Sequence, residues 1–147
     1  MIKSIFTTLL MLMMGTLPAW AALGESESSV SLDQQYVKGE HRLEVRQGYQ
    51  FHQITAPDGS FVREYASPEG KIFGISWRGH SVPNLQQLLG SYMTNLQQAQ
   101  KQTMRRRALV VRTDQFVFVS NGYMRSFQGH AYVPSLVPNN LGPEVVQ

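Results

Sequence analysis

An α+β fold is what this sequence predicts, with one long amphipathic helix packed on a face of an antiparallel β-meander and further antiparallel strands after it. Three observations carry the reading. Between His41 and Trp77, short runs rich in β-formers alternate with turns built on Gly and Pro. Residues 84–101 then switch to helical periodicity. After them the β-rich runs resume around a hairpin signal, Asn121-Gly122. Strands, one helix, strands in that order place the helix as a second layer over the sheet.

The elements follow in order. Residues 41–46 and 49–56 read as two strands joined at Gln47-Gly48. Pro57-Asp58-Gly59-Ser60 is a turn, since proline presets one φ and glycine accepts a positive one. Residues 61–66 form the next strand, Ser67-Pro68-Glu69-Gly70 repeats the turn chemistry, and residues 71–77 follow. On that last strand Phe73, Ile75 and Trp77 share one face while Gly74 and Ser76 share the other.

After Pro83, the residues Leu85, Leu88, Leu89, Tyr92, Met93, Leu96 and Ala99 recur at three- and four-residue steps. Asn84 caps this helix, or Ser81 does with Pro83 inside the first turn. At 1.5 Å per residue its length is about 27 Å, enough to cover a face of a small sheet. Residues 108–112, 115–120 and 123–133 complete the strands, and no internal repeat is evident.

The chain divides into residues 1–21, a secretory signal peptide; 22–40, a flexible polar leader; 41–134, a single domain; and 135–147, a Pro-rich tail. Lys3 supplies the positive n-region, residues 5–17 the apolar run, and Ala19-Trp20-Ala21 the small residues before a cut preceding Ala22. That apolar core falls short of the roughly 20 residues a spanning helix needs. Export to the periplasm or the medium is therefore expected. Without Lys3 the formal charge of +3 drops to about +2, too small an excess to argue for nucleic acid.

There are no cysteines, which excludes disulfides, thiolate zinc sites and cysteine nucleophiles. The four histidines, His41, His52, His80 and His130, show no ligand spacing, so no metal site and no cofactor are expected. Neither Ser60 nor Ser120 lies in a G-x-S-x-G elbow. Asp58 and Glu69 fall in turns, and Arg63-Glu64 reads as an exposed strand pair of opposite charges rather than catalytic groups. Two stretches stand out as binding candidates. Arg105-Arg106-Arg107 either complements the negative end of the helix or forms an anion-binding patch. Trp77-Arg78-Gly79-His80, at the strand-to-helix junction, either forms an aromatic-basic binding edge or contributes Trp77 to the core.

Asp58-Gly59, Val62-Arg63-Glu64-Tyr65, Trp77, residues 83–90 and residues 124–134 together match the pattern of the bacterial exported family known as domain of unknown function 2844, which this chain resembles. His80 stands where that pattern more often has proline, and His130 where it more often has arginine. The resemblance implies export and the domain limits; it implies no mechanism. The functional expectation is a non-catalytic module that binds an envelope protein or surface component. The alternatives are a cell-envelope hydrolase using Glu64, His52 or Arg63, and an assembly or chaperone-like factor that accepts a strand at a sheet edge.

Overall fold

The computed structural model describes residues 23–102 and 108–147. Among these residues seven antiparallel strands form one sheet: β1 (Glu40–Arg46), β2 (Tyr49–Thr55), β3 (Phe61–Ala66), β4 (Ile72–Gly79), β5 (Ala108–Arg112), β6 (Val117–Tyr123) and β7 (Ser126–Tyr132). Their order across the sheet is β1-β2-β3-β4-β7-β6-β5, so β1 and β5 are the edges. The helices are α1 (Val30–Val37), α2 (Leu85–Leu89) and α3 (Met93–Gln102).

Local chemistry sets the turns of the first half. Asp58 Oδ1 accepts from the Ser60 N–H at 2.9 Å while Gly59 takes φ 81°. Gly70, at φ 73°, closes the next turn. The β6–β7 turn departs from expectation. It falls at Met124-Arg125, both left-handed, and Asn121-Gly122 lie inside β6 opposite Gln128 and Phe127. The facing pattern explains this. The observed register sets Phe118 against Ala131, both fully buried, whereas a turn at Asn121-Gly122 would set Phe118 against Arg125.

The helix expected over residues 84–101 is broken. Asn84 caps α2 by accepting from the Gln87 N–H, and Gly90 then takes φ 51° and ψ −122°, outside the helical region. A single 3₁₀ turn, Gly90–Tyr92, leads into α3. The break lets Leu88, Leu89 and Leu96 all bury against one face of the sheet, with Ile54, Val62, Ile75, Trp77 and Phe118.

The two flanking segments also differ from expectation. The leader is not free. Leu23 is buried, its N–H donates to Leu88 O, Gly24 and Glu25 exchange backbone bonds with Ile72, and α1 packs Val30 into the core. Apolar residues within the polar run supply the driving force. The tail crosses the opposite face of the sheet, where Val137, Leu141, Val145 and Val146 cover Phe51, Tyr65 and Phe73; a bulge opposite Tyr65 and Ala66 moves Phe73 off the face of Ile75 and Trp77 expected for it. Gly74 makes room for it, because a Cβ there would stand 2.5 Å from Val146 Cγ2. Among the described residues, no helix is long and apolar enough to cross a membrane.

Candidate functional site

A pocket of about 360 Å³ opens at the end of the sheet where the β2–β3 turn and the end of β4 meet α1 and α2. Its walls are apolar: Val37 from α1, Ile54 and Val62 from β2 and β3, Trp77 from β4 and Leu88 from α2. The rim carries polar groups, among them Tyr36, Asp58, Ser60, Arg78 and Asn84. Asn84 Nδ2 donates to Tyr36 Oη at 3.1 Å and so ties α2 to α1 across the opening. A concave apolar space with a few polar groups at its mouth is the usual form of a small-ligand site.

Asp33 borders the pocket and is itself buried. Gln87 Nε2 donates to Asp33 Oδ1. On the sheet side the Asp33 carboxyl is hydrogen-bonded to that of Glu64, which is 1% exposed. Two carboxyl groups can bond only through a shared proton. Desolvation by burial raises Asp33 above its ordinary value, opposed by the bonds from Glu64 and Gln87. Burial pushes Glu64 up much further, and the neighbouring Asp33 charge adds to it. Glu64 is thus the protonated donor and Asp33 the acceptor. Asp33 Oδ2 and Glu64 Oε1 are both buried, with no other partner among the described residues.

A second polar chain runs along the same face. His52, opposite Glu64 across the β2–β3 ladder, has Nε2 at 2.7 Å from Glu27 Oε1 and Nδ1 at 2.8 Å from His41 Nε2. The Glu27 carboxylate only accepts, so His52 donates to it through Nε2, while its Nδ1 shares a hydrogen bond with His41 Nε2. Burial, and then His52, hold the His41 imidazole below its usual value. The folded chain therefore resists protonation at His41. This contribution to stability is present above about pH 6.5 and is lost as pH falls below it. His41→Gln, whose amide can still hydrogen-bond His52, should flatten the acid-side loss; thermal melts from neutral pH downward measure it.

The residues singled out in the sequence fall in different places. Trp77 is buried, its ring tilted against Phe118 with centroids 5.6 Å apart, and forms part of the pocket wall. Arg78 also borders the pocket, but its guanidinium donates to Gln128 Oε1 at 3.1 Å. His80 stands apart: its N–H donates to Ser60 Oγ and its Nδ1 lies 3.3 Å from Arg125 O. Arg105, Arg106 and Arg107, like Ala19, Ala21 and Ala22, lie outside the described residues. The exposed Arg63-Glu64 pair is corrected by the structure. Arg63 lies on the tail side, bonded to Gln53 and over the Phe61 ring, while Glu64 points into the helix-side core. Among the described residues, no group of three or more His, Asp or Glu is placed to hold a metal ion.

The family model described as Protein of unknown function (DUF2844) matches residues 19–146. No curated protein and no solved structure matches the chain.

Proposed function

We propose that this chain, which belongs to the DUF2844 family, is an exported binding module that works without covalent chemistry and holds an apolar group of an envelope component in the pocket between α1, α2 and the sheet. The single observation behind this reading is the pocket itself, apolar in its walls and polar at its rim. Residues 3–21, with their charge, apolar run and Ala-Trp-Ala end, support export. A hydrolytic reading would draw on Glu64 and His52, which face each other across two strands. Both are buried, so neither side chain is offered to a substrate.

Ala56→Phe tests the reading, because Ala56 borders the pocket and only its backbone is used in the β2–β3 turn. Tagged wild-type and variant chains would be crosslinked in cells, and the co-purifying species identified. Loss of one specific partner in a variant that melts like wild type is the expected result. Equal recovery of that partner with both chains would refute the pocket as its site.

A further inference from the structure

Among the described residues, strand β1 is hydrogen-bonded on one side only, to β2. The Ala56 N–H donates to Ser60 O at 2.8 Å, which fixes the even-numbered residues of this part of β2 as those bonded toward β3. The odd-numbered ones therefore bond toward β1, where they meet Glu40, Arg42, Glu44 and Arg46. The N–H and C=O groups of His41, Leu43 and Val45 are left pointing away from the sheet. On the helix side of this edge Leu43 is 47% and Val45 73% exposed. On the other side the four residues alternate in charge: Glu40, Arg42, Glu44, Arg46.

We propose that β1 pairs with β1 of a second copy of this chain, antiparallel and centred on Leu43, joining two seven-stranded sheets into one. In this register every outward backbone group finds a partner, through Leu43 with Leu43 and His41 with Val45. On the charged face, Glu40 of one copy meets Arg46 of the other and Arg42 meets Glu44, so all four cross-strand pairs are of opposite sign. On the helix side the exposed Leu43 side chains come together, flanked by His41 and Val45.

The same pattern rejects the neighbouring arrangements. Sliding the pair by two residues one way sets Glu40 against Glu44 and Arg42 against Arg42. Sliding it the other way sets Arg42 against Arg46 and Glu44 against Glu44. A parallel pairing in register sets every charge against itself. Charges on an edge strand ordinarily prevent association with any strand; here their order permits one partner in one register. Within a single copy Glu44 already bonds Arg46 at 2.6 Å and approaches Arg42 at 3.5 Å. Such exposed pairs contribute little, so exchanging them for pairs between copies costs little.

A contact through one strand edge is small, so the dimer is populated according to concentration. Sedimentation velocity on the purified chain, from about 10 µM to about 1 mM, should show monomer passing to dimer. Arg42→Glu and Glu44→Arg each place like charges opposite one another twice, and each should weaken self-association at least about tenfold. Mixed in equal amounts, the two variants should associate again, because the Arg-bearing edge of one meets the Glu-bearing edge of the other. The double variant R42E/E44R restores opposite signs and should dimerise like wild type, with circular dichroism confirming the fold of each chain. A wild-type chain that stays monomeric throughout overturns the proposal. So does dimerisation that E44R leaves unchanged, or single variants that fail to associate with each other. Capture of a foreign strand at β1 by a chain that remains monomeric would likewise replace a second copy with a different partner.

Discussion

Glu64→Gln is expected to make the protein more stable above neutral pH and to remove most of the stability it loses as pH rises. The reason is the shared proton between Asp33 and Glu64, two buried carboxyl groups whose folded values both lie above the ordinary range. Between the ordinary carboxyl value and those raised values, the folded chain holds more protons than the unfolded one. Stability is therefore fully present below about pH 4 and declines as pH rises through that window. The slope is about 1.4 kcal/mol per pH unit for each extra proton held. Glutamine keeps a donor facing Asp33 without needing a proton. The other titratable groups on this face, His52 with Glu27 and His41, are unchanged by the substitution. Urea unfolding of wild type and variant from pH 5 to pH 9 is the measurement, and stability curves that stay parallel would remove the shared proton from the account. Asp33 also ties α1 to α2 through Gln87, so whatever loosens this pair loosens the pocket wall.

The first four strands were legible because their turns are local. Pro57 to Ser60 and Ser67 to Gly70 carry their own dihedral and side-chain requirements, and no tertiary contact opposes them. Asn121-Gly122 has the same local preference, yet burial of Phe118 against Ala131 outweighs it and moves the turn to Met124-Arg125. The break at Gly90 was hidden for a different reason. A 3₁₀ turn of three residues keeps Leu89 and Leu96 on the core side, so the apolar spacing continues through it.

Less of the candidate site could be read. Trp77 was visible as an aromatic at a junction, though not whether it faced core or solvent. Asp33 has a local signal: Val30, Asp33 and Val37 sit three and four residues apart, which puts the carboxyl on the buried stripe of α1. Glu64 carried one as well, sharing the face of Val62 and Ala66. What no local pattern reveals is their meeting. Asp33 and Gln87 are 54 residues apart, and Glu27 and His52 are 25 apart, so these contacts exist only once the leader has packed on the sheet.

Trp77→Ala should cost about 3–5 kcal/mol, the range for deleting a large buried aromatic side chain. Trp77 is 2% exposed, packs on Phe118, and lies over Gly129. Its Nε1–H has no partner among the described residues, and a buried unpaired donor costs about 1–3 kcal/mol. Trp77→Phe deletes that donor while keeping a six-membered ring in place, so it should cost clearly less than alanine. If phenylalanine proves as damaging as alanine in chemical denaturation, the indole N–H is bonded and its burial is not a liability. The contact with Gly129 offers an independent check. A Cβ there would press on the indole ring and stand 2.6 Å from Val119 O. Gly129→Ala should therefore be strongly destabilising in wild type and measurably less so beside Trp77→Ala, where the ring is gone and only the Val119 contact remains. Additive losses would show that the indole edge does not fill the space the glycine leaves, and would leave the Val119 carbonyl as the reason for glycine at that point of β7.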